Sequence, residues 1–433
     1  MDKFLIKFFK LGEKSTTIKN EINAGAYTFL AMSYIIFMEP AILRQAGMSF
    51  SAVMTATCLC AGLMCILTGV IANSPVTAAP LMGENLVFVF TLVIAMQWKW
   101  QHAIALVMVE GLIFLGLTAF KLRDYAVKSV PASLRYAMAA GTGIFIAMLG
   151  LKWSGIIVPD AYSLVRLGNL RSPEVLVSIA GLVAIITLFV RNVKGSIMLG
   201  TLIALVVALI AGVVKFNGVV SAPPSVQSVF MQFDFAHLKA LDFVFGVVIL
   251  LYMNIFNTIG SVLSVKNPGA MKVLVIEAIG TPIGALFGTS GVSSYIESNA
   301  GGVAQRGKSG LSNTVTGLLF LAAVFIYPLM RGIGTGVSLS KYYVLYPVAA
   351  PALIMIGFLM LKNVLKLNLE DLSETLPACM TLIITPLTFN IAHGIAFGVI
   401  SYPIVKLISG KYKEVTPLMY ILAAGFILYY IFA

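Results

Sequence analysis

Charge is scarce in this sequence. Asp, Glu, Lys and Arg make up 11% of its 433 residues, where a soluble domain carries about 25%. That shortage excludes a soluble enzyme, a coiled coil and a disordered chain. Acids are the rarer sign, 17 Asp+Glu against 29 Lys+Arg. Histidine is nearly absent, at three residues (His102, His237, His393). There is no HExxH, no GxSxG and no His/Cys/Asp/Glu cluster at metal spacing. Gly307-Lys308-Ser309 lacks the spacing of a phosphate loop. The four cysteines, Cys58, Cys60, Cys65 and Cys379, sit in apolar runs without a CxxC pair. They read as small buried hydrophobes, so no disulfide scaffold is indicated. The expectation is neither an enzyme nor a cofactor protein.

What fills the sequence instead is apolar. Hydrophobic residues reach 59% and the mean hydropathy is +0.98, the composition of an all-α integral membrane protein whose partner is the lipid bilayer. Apolar runs lie at about 24–45, 52–72, 75–96, 101–121, 134–157, 174–190 and 195–214. A polar stretch, 215–242, intervenes, and runs resume at about 243–265, 271–288, 290–305, 311–333, 344–362, 375–390 and 391–408. A last run covers 416–433, as a fifteenth span or a re-entrant helix.

Lys/Arg clusters follow every second run: Lys121–Arg135, Arg191 and Lys194, Lys266 and Lys272, Arg306 and Lys308, Lys362 and Lys366, Lys406–Lys413. Basic loops stay in the cytoplasm, so the pattern predicts 14 spans in a cell membrane with a cytoplasmic N-terminus. Cytoplasmic loops also account for the +12 net charge without invoking nucleic acid. Residues 1–23 read as an amphipathic cytoplasmic segment, with Lys3, Lys7, Lys10 and Lys14 opposite Phe4, Phe8, Phe9 and Leu11. The expected units are repeats at 24–214 and 243–408, a connector outside the cytoplasm at 215–242, and a hydrophobic tail at 409–433. Seven spans per half implies opposite orientation, the arithmetic of an inverted repeat.

The third and tenth runs are both interrupted. The third carries Pro75 and Pro80 before Glu84-Asn85; the tenth reads Gly-Thr-Ser-Gly-Val-Ser-Ser-Tyr-Ile-Glu-Ser (288–298). Broken segments at matching positions in two halves point to a midplane binding site. Irregular backbone at that depth needs protein or a watery cavity around it.

Five glutamates fall inside apolar runs: Glu39, Glu84, Glu110, Glu277 and Glu297. Each can bind substrate, relay a proton or act as a structural hydrogen-bonding group. Glu297, in a hydrogen-bonding cluster with Ser293, Ser294, Tyr295, Ser298 and Asn299, reads as substrate-binding together with its neighbours Ile296 and Ser298; Glu297, Glu84 and Glu39 are the candidates for proton coupling. Glu277 and Glu110 read as structural. Asn254 and Asn257 lie one turn apart and form a polar stripe, facing substrate or joining helices. His393 reads as a cap or loop histidine.

These segments resemble the nucleobase–cation symporter-2 superfamily, in its AzgA-like purine permease branch. The likeness is carried by residues 24–43 and 72–83, by Asn-Thr-Ile-Gly-Ser (257–261), by 288–298, by Glu-Thr-Leu-Pro-Ala (374–378) and by Ile-Ala-His-Gly-Ile-Ala-Phe-Gly (391–398). The resemblance implies 14 spans in two inverted repeats. A core (spans 1–4 and 8–11) would move against a gate (5–7 and 12–14). Short strands would lie in spans 3 and 10, and the gate would form a homodimer.

It implies that Glu297 hydrogen-bonds a nucleobase, that Asn257 stands near it in span 8, and that the backbone near Asn85 and Leu86 approaches the base. The chain departs from the family pattern in three places. Asn257 replaces an acid, Glu39-Pro40 stands where Asn-Pro is usual, and Leu-Met-Gly-Glu-Asn-Leu (81–86) replaces Gly-Met-Gly-Leu-Asn-Ala. One carboxylate is lost and two are gained. The expected function is import of a purine base with a proton (or sodium) as coupling ion. A different planar heterocycle, an anion, or uncoupled passage on the same architecture are the alternatives.

Overall fold

A computed structural model describes residues 2–120, 122–123, 129–215, 218–236, 239–262, 270–295, 307–340, 343–368 and 370–432. The side chains of 256–262, 270, 340 and 343 fall outside that description. Within it, seven helical stretches are long and apolar enough to cross a membrane: Ile18–Ala46, Phe50–Ala72, Trp100–Ala119, Ala132–Trp153, Pro173–Val190, Gly310–Gly334 and Ile391–Ile408. Shorter apolar helices cover Met82–Ala95, Ser196–Ile210, Ala240–Ile255, Leu372–Leu387 and Pro417–Phe432. The protein is a multi-pass, mainly helical membrane protein.

Helix starts follow capping chemistry. Thr17 accepts the N–H of Asn20 ahead of α2 (Ile18–Met32), after the short α1 (Asp2–Phe8). Asn390 likewise accepts the N–H groups of Ala392 and His393 at the start of Ile391–Ile408. The first apolar run is not one continuous helix. It turns at Ser33-Tyr34 and resumes as α3 (Ile35–Leu43), which contains Glu39 and Pro40. The fifth run ends as helix at Trp153, and the chain then forms a hairpin, β2 (Ile157–Asp160) against β3 (Leu164–Leu167). The twelfth run becomes helical only at Ala350, because Tyr343–Leu345 pairs with Val337–Ser340.

Helices approach closely where side chains are small. Between α4 (Phe50–Ala72) and the helix Gly310–Ala322, a Cβ on Gly310 would lie 1.8 Å from the Gly69 carbonyl oxygen. A Cβ on Gly317 would lie 2.6 Å from that of Gly62. Close backbone approach is how helices associate in lipid, where apolar side chains gain little by leaving the tails. Gly310→Ala is therefore expected to lower stability by about 1–3 kcal/mol, read as a fall in the unfolding midpoint of detergent-purified protein. An unchanged midpoint would show that the two helices separate freely.

The N-terminal segment docks on this same helix pair. Phe9 and Leu11 are buried with Leu311, so two of the four apolar residues expected on a lipid-facing side turn into the protein; Phe4 and Phe8 remain exposed. Glu21 accepts the N–H groups of Lys308 (2.8 Å), Ser309 (3.2 Å) and Ser312 (3.3 Å), satisfying orphan donors at the start of Gly310–Ala322. The connector reaches the opposite ends of the helices, with the Ser221 N–H on the Phe325 carbonyl and the Met231 N–H on that of Leu286. His102 at the start of α6 (Trp100–Ala119) lies 2.8 Å from the Asp234 carbonyl oxygen, and His237 lies outside the described residues.

Candidate functional site

Two interrupted segments cross in the middle of the protein. β1 (Ala78–Pro80) pairs antiparallel with β4 (Val292–Ser294), Ala78 opposite Ser294 and Pro80 opposite Val292. Pro80 leaves the pairing without a donor at that point, and the chain supplies others. The Leu81 N–H donates to the Gly291 carbonyl at 2.7 Å, the Tyr295 N–H to that of Thr77 at 3.0 Å, and the Tyr295 hydroxyl to that of Pro80. Immediately after β1 the chain enters α5 (Met82–Leu86), which continues as a wider π-type helix to Ala95. Among the described residues no side chain caps α5, so its first N–H groups can serve a ligand.

A cavity of about 620 Å³ ends on this crossing. Its inner wall is Leu81, Met82, Gly83, Met253, Ser294 and Tyr295. Thr142, Ile146 and Ile356 face them from the helices Ala132–Trp153 and Ala350–Leu361. Arg135, Lys194 and Lys362 also line it; all three belong to the basic clusters of the sequence. No carboxylate lines it among the described residues.

The buried acids lie behind that wall. Glu84 accepts the Gly291 N–H at 2.8 Å through Oε1, while Oε2 has no partner among the described residues. A Cβ at position 291 would lie 2.3 Å from that Oε2, so glycine is needed for the carboxylate to reach the backbone. Glu39 is fully buried on α3 beside Thr57, Asn85 and the Ser290 backbone, with neither oxygen in good hydrogen-bond geometry. Glu110 on α6 accepts from Asn254 at 3.1 Å. The same Asn254 amide donates to Thr281 Oγ1 at 3.1 Å, which also receives the Val292 N–H at 3.1 Å. Thr281 thus ties β4 to the helix Ala270–Phe287. One turn away on that helix, Glu277 pairs with Arg123 at 3.4 Å and accepts the Ser294 hydroxyl.

Of the residues the sequence singled out, the crossing gathers Glu39, Glu84, Asn85 and Asn254 into one buried polar layer. Asn85, Leu86 and Asn254 are buried and do not line the cavity; their neighbours Met82, Gly83 and Met253 do. Glu297, Ile296 and Ser298 lie outside the described residues, as does the side chain of Asn257. His393 is in the first turn of its helix, 2.6 Å from the Tyr430 hydroxyl on Pro417–Phe432. Sequence reasoning missed the Arg123–Glu277 pair, since Arg123 was accounted for by loop charge. The available signal was a glutamate in an apolar run, which requires a partner from somewhere.

Known proteins place this architecture. The Xan_ur_permease model, described as a permease family, matches residues 19–397. The adenine permease AdeP of Escherichia coli (strain K12) is 37% identical over 99% of this chain and 96% of its own. The guanine/hypoxanthine permease PbuG of Bacillus subtilis (strain 168) is 36% identical over 98% of this chain and 99% of its own. Among solved structures, the transmembrane domain of the cyanobacterial bicarbonate transporter BicA superposes with a TM-score of 0.65 at 15% identity, covering 87% of this chain and 97% of that one. The murine anion transporter Slc26a9, solved in the inward-facing state, gives 0.63 at 11% identity, covering 94% and 72%. These two share the fold. The chain is a transporter rather than an enzyme, and it belongs to the Xan_ur_permease family of permeases, within the nucleobase–cation symporter-2 superfamily.

Proposed function

We propose that this protein imports a purine nucleobase by proton symport with alternating access. The observation that carries the reading is the cavity's end: the uncapped start of α5 and the Ser294–Tyr295 segment share one wall of a space sized for a small molecule. The α5 N–H groups offer donors to a ring carbonyl or nitrogen, and the hydroxyls offer acceptors to ring N–H groups. Glu297, next to that wall in sequence, is the carboxylate that would hold the base. The names of the relatives, adenine and guanine/hypoxanthine permeases, support the purine class.

The wider reading follows the same lines. Fourteen spans form two inverted repeats, and the cavity separates a core from a gate. The basic residues Arg135, Lys194 and Lys362 in its lining support an open side facing the cytoplasm of a cell membrane. The protein works as a homodimer joined through the gate. Glu84 and Glu39, with Glu297, carry the coupled proton, for a carboxyl group can take up a proton on one side of the transport cycle and release it on the other.

The test is uptake of labelled hypoxanthine, guanine, adenine, xanthine and uracil in cells lacking their own nucleobase carriers, with and without a protonophore. Protonophore-sensitive uptake of a purine, lost in Glu297→Gln, is the expected result. Full activity of Glu297→Gln overturns the role of that residue; accumulation that survives the protonophore overturns proton coupling and favours sodium or a facilitator.

One observation favours a second reading, an anion carrier. Three cations and no described carboxylate line the cavity, and BicA and Slc26a9 share the fold. The buried acids behind the wall weigh against it. Uptake of bicarbonate or sulfate with no uptake of any base would establish it.

A further inference from the structure

Ser294 is the end of β4 and lines the cavity, and its hydroxyl is bonded to Glu277 on the far side. A serine hydroxyl ordinarily rotates, donating to one ligand and accepting from another. Here the hydroxyl is already engaged, donating to Glu277 Oε1. Glu277 is fully buried and pairs at 3.4 Å with Arg123, itself only 4% exposed. The Arg123 guanidinium lies 4.5 Å from the centre of the Phe114 ring, which helps hold it in place. The Ser294 hydroxyl donates to that carboxyl group, which stands between it and Arg123, so the Ser294 proton is committed to the far side. What Ser294 has left for the cavity is lone pairs.

We propose that Ser294 is an acceptor-only contact, kept so by the Arg123–Glu277 pair, which selects ligands presenting an N–H at that point of the cavity wall. The proposal rests on the nucleobase reading and adds a discriminating residue to it. Glu277 and Arg123 act through Ser294 and are positioning residues. Serine supplies specificity here because a ligand with a lone pair in place of the N–H would face another lone pair with no proton between them.

Binding to detergent-purified protein of hypoxanthine and of its 1-, 7- and 9-methyl derivatives tests this. Each methyl group removes one ring N–H donor or blocks one edge. Ser294→Ala should weaken hypoxanthine about tenfold and leave one methyl derivative, the one already lacking the matching N–H, at its wild-type affinity. Ser294→Thr keeps the hydroxyl and should keep the wild-type ranking. Glu277→Gln, whose amide can also donate, should shrink the gap between hypoxanthine and that derivative. An equal loss for every ligand in Ser294→Ala, or no loss for any, overturns the proposal and leaves Ser294 a strand residue. If wild-type protein binds none of the bases, the nucleobase reading fails and this inference with it.

Discussion

Gly291→Ala is expected to abolish uptake and to lower the unfolding midpoint. The added Cβ would stand 2.3 Å from Glu84 Oε2, 2.8 Å from Oε1 and 2.9 Å from the carboxyl carbon. A fully buried side chain with a bond to that same backbone has little room to withdraw. Displacing it breaks the 2.8 Å bond from the Gly291 N–H and strands a carboxylate inside the protein. Overpacking and the lost bond together cost on the order of 3 kcal/mol. The damage is concentrated where β1 meets β4, since the Leu81 N–H donates to the carbonyl of the same glycine. Thermal unfolding and uptake measured on one preparation check the result. A variant with normal uptake would mean that Glu84 does not need the Gly291 backbone.

Glu84→Gln is expected to separate transport from accumulation. Glutamine keeps the shape and still accepts the Gly291 N–H through its amide oxygen, so the crossing should hold. It cannot take up or release a proton. Glu84 stands within electrostatic reach of both Glu39 and Glu110. Of the buried acids on the described helices near the crossing, Glu277 alone has a cation partner. If the proposed proton symport holds, a proton carried by this layer of three carboxyl groups is the coupling element, and an amide at position 84 removes one of its sites. Downhill exchange of labelled base across vesicles should persist in Glu84→Gln, while uphill accumulation should fall at least tenfold and lose its protonophore sensitivity. Glu39→Gln should behave alike if the two acids form one unit. Undiminished accumulation in both variants would remove the α3–α5 layer from the coupling mechanism and leave Glu297 as its remaining candidate.

The sequence by itself determined the membrane class. Few charges, long apolar runs and Lys/Arg clusters after alternate runs follow from the cost of polar groups in lipid, and that cost acts residue by residue. Broken segments were legible for the same reason: Pro75, Pro80 and the serine-rich 288–294 stretch cannot form a regular lipid-facing helix. The interest of Glu39 and Glu84 was visible too, because a glutamate in an apolar run is an anomaly with no neighbour needed to show it.

Pairing was decided only by the tertiary structure. Nothing along the chain joins Arg123 to Glu277, Asn254 to Glu110, or Glu84 to Gly291, partners separated by 154, 144 and 207 positions. These contacts depend on which helices pack, and hydropathy carries no information about that. The inner wall shows the same limit. Asn85, Leu86 and Asn254 were the polar or motif residues that drew attention, yet Met82, Gly83 and Met253 beside them line the cavity. A helix turns about 100° per residue, so a shift of one position moves a side chain from the cavity to the buried layer behind it, and only the packed structure sets that rotation.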